Sequence, residues 1–385
     1  MTELRGSSMK ILQATYVRGV AGSENFLLNA ISGLKAKGHQ VEMLILYVDQ
    51  QETEAFKKLL DERAIKHHSF DIKGFSLLKS LKGIAKLCRH FDLINSHLLH
   101  ADLTLSLAKR FFHRKMILVS GKHGYEEWYI NKFGFDPKHK TKNKYWYISR
   151  LAEKNTNRSF AISKGIQNLF IGADISPTNA IDLIYYGFEF DNQFKNDPNL
   201  RFGPQQLCIV GRLTAFKGHR FAIESVEILK DEFPEIKLVL VGWGELEQEL
   251  KQMVQDKGLE DNVIFTGFQK NARDYMASSD IILLPSISEG FGIVLAEAMS
   301  VKRPIIAFDV PSPSELLENN ISGVLVPPYD VPKYATAIRS LLLAPEHQQK
   351  LAEKAYEMLQ DKYHLSRMIR QLEEFYLRAI TIERG

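Results

Sequence analysis

Short apolar runs alternate with helical patterns along almost the whole chain, and this alternation limits its fold more than any other feature. Lys10–Tyr16 reads as a strand and Ser23–Lys37 as a helix, with Phe26, Leu27, Ala30, Ile31 and Leu34 at helical spacing. Gly38 ends that helix, and Val41–Val48 is the nearly continuous apolar run of a buried strand. The pattern repeats as Phe75–Arg89 (helix), Leu93–Asn95 (strand), Ala101–Phe112 (helix) and Met116–Val119 (strand). After a long irregular stretch it resumes with the strand Ser159–Ile162, the helix Lys164–Ile171 and the strand Ile181–Tyr185. Strands separated by helices pair in parallel through right-handed crossovers, so the class is α/β.

Residues 187–205 hold Gly187, Asn192, Asn196, Asp197, Pro198, Asn199, Gly203 and Pro204 with few apolar side chains, a linker composition. The alternation then restarts with the strand Leu207–Val210, a helix over His219–Glu232 and the strand Lys237–Val241. It continues through a helix over Leu246–Asp256, strands Val263–Phe265 and Ile281–Leu284, and a helix over Phe291–Met299. Strands Pro304–Ala307 and Gly323–Val326 follow, and helices take most of 333–380. The expectation is two Rossmann-like units in tandem: an N-terminal domain over 1–186, a linker over 187–205, a C-terminal domain over 206–360 and a last helix over 361–385. The length of 385 residues agrees, because one domain usually spans about 100–200.

Composition excludes several classes. Hydrophobic residues make up 45% and charged residues 25%, which rules out a disordered chain and a disulfide-stapled scaffold. No run approaches the roughly 18 apolar residues of a membrane span, and the stretch before Met9 is too polar for a secretory signal. Residues 1–8 read as a tail ahead of the first strand. Cys88 and Cys208 stand far apart in no ligand spacing, which argues against a disulfide or a zinc site and for a reduced, cytoplasmic protein. The net charge of +4 conceals an asymmetry that bears on partners: 28 Lys+Arg against 17 Asp+Glu over 1–186, and 22 against 29 over the remainder.

Parallel sheets bind ligands at the carboxyl ends of their strands, so the loops after strands are where chemistry is sought. Gly211-Arg212-Leu213-Thr214-Ala215-Phe216-Lys217-Gly218 places two cations near a helix start, where Arg can grip phosphate oxygens bidentately and Lys acts as a point charge. Ser288-Glu289-Gly290-Phe291-Gly292 puts one carboxylate in a loop, and Glu297 lies more than a turn inside the following helix. Two carboxylates at such different depths suit two hydroxyl-bearing sugars better than one metal. Gly290 and Gly292 let backbone N–H groups approach a ligand. Gly19-Val20-Ala21-Gly22-Ser23-Glu24 is a flexible loop opening a helix in the first half. His97 and His123 lie at or just beyond strand ends of the same half.

Absent patterns narrow the field. The chain has no D-x-D, no H-E-x-x-H, no G-x-S-x-G and no G-x-x-x-x-G-K-[ST], which removes the metalloprotease, α/β-hydrolase and P-loop readings. Gly242-Trp243-Gly244-Glu245-Leu246-Glu247 approaches G-x-G-x-x-G but carries glutamate at the third glycine, so a nicotinamide or flavin enzyme is poorly supported.

Taken together, G-R-L-x3-K-G at 211–218, G-x-G at 242–244 and E-G-F-G-x4-E at 289–297 resemble the retaining glycosyltransferases of the GT-B fold, specifically glycosyltransferase family 4, over nearly the whole length. The resemblance implies two Rossmann-like domains facing each other across a cleft, with the last helix crossing back to the first. It implies a hexose or hexosamine moved from a nucleoside-diphosphate sugar to a glycan or lipid, with no metal and no cofactor beyond the donor itself. Arg212 and Lys217 would hold the diphosphate, and Glu297 the ribose hydroxyls. Glu289, with the backbone of Gly290, Phe291 and Gly292, would orient the transferred sugar. Gly211, Gly242 and Gly244 would line the donor site, which Gly22 approaches from the first half. His123 matches the family histidine near the transferred sugar, and Gly19 and His97 fall on the acceptor side. The usual adjacent glycine pair is here Val20-Ala21-Gly22, which departs from the family pattern.

From Lys109 to Arg158 there are 13 Lys+Arg against 4 Asp+Glu, interleaved with Trp128, Tyr129, Phe133, Phe135, Tyr145, Trp146 and Tyr147. Basic and interfacial aromatic residues together suit an anionic membrane surface, and no nucleic-acid module is recognisable. The expectation is a peripheral enzyme on the inner face of the cell membrane, serving cell-surface polysaccharide synthesis. The rivals are a nucleotide-sugar epimerase of the same fold and a catalytically silent sugar-nucleotide-binding partner.

Overall fold

A computed structural model describes residues 8–17, 22–74, 76–124, 144–189, 194–287 and 291–384. The chain forms two compact units: residues up to Gly187 together with Leu365 onward, and Phe188–His364. In the first unit the strands are β1 (Lys10–Tyr16), β2 (Gln40–Tyr47), β3 (His67–Asp71), β4 (Leu93–His97), β5 (Leu118–Lys122), β6 (Arg158–Ala161) and β7 (Ile181–Leu183). They form one sheet in the order β3-β2-β1-β4-β5-β6-β7, with every pairing parallel. The second unit has β8 (Gln206–Val210), β9 (Lys237–Val241), β10 (Val263–Gly267), β11 (Ile281–Leu284), β12 (Ile305–Phe308) and β13 (Val324–Val326). Its sheet runs β10-β9-β8-β11-β12-β13 and is also parallel throughout. This is the two-domain α/β architecture of the GT-B fold.

Strand order reverses direction between β1 and β4 in one sheet and between β8 and β11 in the other. At such a point the connecting helices diverge to opposite faces and leave a crevice at the strand ends. Burial on both faces explains the apolar runs. Ile11, Leu12 and Ala14 of β1 and Leu238, Val239 and Leu240 of β9 are all fully buried, each large one contributing about 1.5–3 kcal/mol.

The structure adds elements that the apolar runs do not announce. A helix over Glu54–Glu62 precedes β3, whose sequence His-His-Ser-Phe-Asp has no apolar run because it is an edge strand, only half-buried. A second unforeseen helix covers Lys144–Glu153, inside the stretch read as irregular. Residues 195–205, read as linker, are tied to the second unit. Lys195 N donates to Asp274 (2.8 Å), Asp197 N to Ser278 Oγ (2.9 Å), and Gln206 Nε2 to the Leu200 carbonyl (2.9 Å). The last helix, Leu365–Arg384, belongs to the first unit. It packs on the helix Gly22–Ala36 so closely that a Cβ on Gly33 would sit 2.5 Å from Ile369.

Candidate functional site

In the second unit the glycine-bearing loops come together at the carboxyl ends of β8, β9 and β11. Gly211 N donates to the Val241 carbonyl (3.0 Å), Leu213 N to that of Trp243 (3.0 Å), and Gly242 N to that of Gly267 (2.9 Å). The G-R-L and G-W-G segments are therefore laced into one surface. Gly242 has φ +145°, and a Cβ there would fall 2.0 Å from the Gly211 carbonyl oxygen, so no other residue fits. The Lys217-Gly218 turn meets β11 in the same way. Ile287 N donates to the Phe216 carbonyl (2.8 Å), and a Cβ on Gly218 (φ +71°) would lie 1.9 Å from the Pro285 oxygen. Gly218→Ala is expected to displace this turn and lose donor binding, checked by calorimetry beside a thermal melt.

Arg212 is exposed, and the Lys217 stem runs alongside Gly211 with its ammonium 5.7 Å from the Phe216 ring centre. Three of the surrounding loops also carry buried polar atoms with no partner among the described residues: Thr214 Oγ1, both ring nitrogens of His219, Ser286 Oγ and Ser312 Oγ. His219 opens the helix His219–Leu229. Burial, reinforced by the charge of Lys217, pushes its imidazole down to about 4. Buried polar groups are normally satisfied, so these orphans at the carboxyl ends of the sheet are unusual.

Glu297 lies on the helix Ile293–Ser300, which starts after Gly292 in the left-handed region (φ +82°). Burial raises its carboxyl to about 7 against a partial pull downward from Arg273. The Phe291 side chain is packed against Phe188 and Tyr363, with ring centres 5.7 and 5.8 Å away, so it serves the core. Glu289 and Gly290 lie outside the described residues, as does Gly19; Gly22 is the first residue of its helix.

In the first unit, His97 ends β4 and His123 follows β5, and the two rings meet: His97 Nδ1 lies 2.7 Å from His123 Nε2. Phe26 walls the pair, its ring edge-on to His123 at 4.8 Å between centres. Gly121 leaves room for His97, since a Cβ there would sit 2.8 Å from Nδ1. Beside them Lys122 is buried between two carboxylates, Asp102 at 2.8 Å and Glu153 at 3.0 Å. Burial alone would depress this ammonium, but Asp102 and Glu153 outweigh it and hold it above its ordinary value.

This geometry revises the basic aromatic stretch. Lys122 is internal, Lys109 donates to Asn157 (2.6 Å), Arg158 pairs with Asp182 (2.8 Å), and the buried Trp146 donates to the Ala173 carbonyl (2.6 Å). These four stabilise the fold and are not available to a membrane. Residues 125–143 lie outside the described residues. Among the described residues no group of three or more His, Cys, Asp or Glu is arranged to hold a metal, and no helix is long and apolar enough to cross a membrane.

Two family profiles match the chain in tandem: "Glycosyltransferase Family 4" over residues 20–191 and "Glycosyl transferases group 1" over residues 191–358. The chain belongs to the family 4 glycosyltransferases. Among family relatives, the alpha-D-kanosaminyltransferase of Streptomyces kanamyceticus is 34% identical over 172 residues, 44% of this chain and 45% of that protein. The amylovoran biosynthesis glycosyltransferase AmsK of Erwinia amylovora is 37% identical over 148 residues, 36% of this chain and 35% of that one. The chain thus aligns with less than half the length of either relative. Among solved structures, Anabaena HepE in complex with UDP superposes with a TM-score of 0.81 at 23% identity, covering 95% of this chain and 99% of that one. That likeness shows the fold.

Some buried polar residues of each unit carry no motif. Gln13 and Asn95 interrupt apolar strand runs, a visible signal, and both prove to be fully buried. Tyr376 and His219 gave no signal in the sequence.

Proposed function

We propose that the chain transfers a hexose or hexosamine from a nucleoside-diphosphate sugar to a glycan or lipid acceptor, with retention at the anomeric carbon and with protein cations in place of a metal. The observation that carries this reading is the convergence of Arg212, Lys217 and the unpaired buried polar atoms on loops laced together at the β8/β11 order reversal. Breaking the anomeric C–O bond leaves a diphosphate and an oxocarbenium-like sugar. Arg212 and Lys217 stabilise the charge that develops on the departing phosphate. Glu297 accepts from the ribose hydroxyls, while Glu289 and the backbone at 290–292 orient the sugar. The acceptor arrives on the face that the diphosphate leaves and gives its proton to a phosphate oxygen, which needs no enzymic nucleophile. Support for a nucleotide donor also comes from HepE, solved with UDP and with UDP-glucose.

A thermal-shift panel of nucleoside diphosphates and their sugars tests the reading. A matching nucleotide at 100 times its Kd should stabilise the protein by about 2.7 kcal/mol. Binding of NAD or ATP alone would sink it.

We infer further that the acceptor lies at an anionic membrane surface, on the cytoplasmic side, in polysaccharide synthesis. Support comes from described residues of the first unit. Helix Ser76–Cys88 and the end of helix Leu99–Phe112 are joined at Phe112, whose carbonyl accepts from Arg89 (3.5 Å) and whose ring lies 6.0 Å from Lys82. These helices and the turn that follows expose Lys79, Lys82, Lys86, Arg110, Arg114 and Lys115 beside Leu78 (60% exposed) and Phe111 (64%). Each cation near an anionic surface contributes about 1 kcal/mol. Reversing Lys79, Lys82, Lys86 and Arg110 to glutamate is expected to release the protein from phosphatidylserine vesicles at low salt while leaving nucleotide affinity unchanged. A protein that ignores such vesicles yet glycosylates a soluble acceptor would refute the membrane assignment.

A further inference from the structure

Five polar side chains of the first unit form one hydrogen-bonded chain running from the last helix to His123. The Tyr376 hydroxyl accepts from Gln13 Nε2 (2.9 Å) and Asn95 Nδ2 (2.7 Å). Asn95 Nδ2 also donates to Gln13 Oε1 (3.0 Å). Gln13 Oε1 lies 2.9 Å from His97 Nε2, and His97 Nδ1 lies 2.7 Å from His123 Nε2. Tyr376, Gln13, Asn95 and His97 are all fully buried. Two amides in the middle of β1 and β4 are costly there unless hydrogen-bonded, and of their polar atoms only Asn95 Oδ1 lacks a partner among the described residues.

The contacts fix where protons sit. A carboxamide oxygen only accepts, so Gln13 Oε1 requires the proton of His97 on Nε2. Burial, with His123 and Lys122 nearby, holds His97 well below its ordinary value; the ring is neutral and its Nδ1 is a lone pair. The short contact then requires a proton on His123 Nε2. Burial likewise pushes His123 down to about 4, against an upward pull from Asp102, so its single proton is the one on Nε2. Reversing both amides would reverse every link. It would also put the Asn95 NH2 where the unpaired Oδ1 now lies, and a buried N–H without an acceptor is rarer than a spare carbonyl lone pair.

We propose that Tyr376, Asn95 and Gln13 are positioning residues that act through His97 to hold His123 as the Nε2–H tautomer, so that Nδ1 meets a sugar hydroxyl as a hydrogen-bond acceptor. The meeting with a sugar rests on the glycosyltransferase reading; the tautomer does not. A helix 363 residues away from β1 in sequence thereby sets the face that His123 offers to ligand.

The test uses the full chain labelled with ¹⁵N in histidine, since protonated and lone-pair imidazole nitrogens resonate far apart. The native protein should show the Nε2–H pattern on both rings at pH 7, assigned with His97→Gln and His123→Gln. Gln13→Leu keeps the volume but removes the acceptor, and Tyr376→Phe removes one oxygen from an unchanged ring. Both are expected to turn the His123 pattern into a mixture and to lower kcat about tenfold with donor KM held within about twofold. Gln13→Glu keeps an oxygen facing His97 and should keep the Nε2–H pattern, a distinction that packing alone would not make. An unchanged pattern in Gln13→Leu and Tyr376→Phe, or identical patterns in Gln13→Leu and Gln13→Glu, overturns the proposal. Should Gln13→Leu not fold, Tyr376→Phe alone decides. A pattern that responds as expected, beside undiminished transfer by His123→Ala, keeps the tautomer assignment and removes His123 from the transfer reaction.

Discussion

Arg212→Ala and Lys217→Ala are each expected to weaken nucleoside-diphosphate affinity about ten- to hundredfold, because a hydrogen bond to a charged group is worth about 1.5–3 kcal/mol. Both side chains leave the same loop, Arg212 exposed and Lys217 lying along Gly211. If they grip different oxygens the losses should add, and the double variant should fall by the product of the single effects. Transfer should fall further than binding, since phosphate charge grows as the sugar departs and cations felt only then act on kcat. The fold should survive, because neither side chain belongs to the hydrophobic core. Calorimetry with the diphosphate, beside transfer rates and thermal melts, separates these effects. Unchanged affinity in both variants at low salt would remove the pair from the donor site.

The sequence made the second unit easier to read than the first, for a physical reason. Around β8, β9 and β11 the chain must fold backbone onto backbone, as at Gly242 and Gly218, where no side chain fits. Such positions force glycine and leave visible motifs. In the first unit the important contacts join side chains remote in the chain: Tyr376 with Gln13 and Asn95, and Lys122 with Asp102 and Glu153. Nothing local fixes those partners. Lys122 illustrates the cost, since a cation counted toward a surface patch lies inside the sheet with two carboxylates. Edge strand β3 escaped notice because it lacks the two-sided burial that writes apolar runs into the central strands. His97 and His123 could be singled out separately from their places at strand ends, but their 2.7 Å contact depends on β4 and β5 pairing in parallel, with His97 opposite Gly121.

Glu297→Gln is expected to make the protein more stable and less able to bind its donor. The native carboxyl sits at about 7 because burial disfavours its charge, and Arg273 only partly offsets this; an unfolded chain would hold it near 4.5. A raised carboxyl favours the protonated folded state. Folding stability is therefore lost as pH rises from about 4.5 through about 7, and the loss is complete by pH 8. A difference of about 2.5 pK units corresponds to about 3 kcal/mol. Glutamine carries no charge to bury, so urea unfolding should show Glu297→Gln about 3 kcal/mol more stable than the native protein at pH 8 and nearly equal to it at pH 4. Donor binding should move the other way. In the proposed donor site the ribose hydroxyls would donate to an ionised carboxylate, so native affinity should fall as pH drops below 7, approaching tenfold per unit, while the variant stays weak and nearly independent of pH. Titrations at pH 6 and pH 8 measure this slope. A variant less stable than the native protein at both pH 4 and pH 8 would mean that Glu297 is a structural hydrogen-bond partner. Greater stability joined to a lost pH slope would mark a charge kept buried, at a cost to the fold, for the ligand it receives.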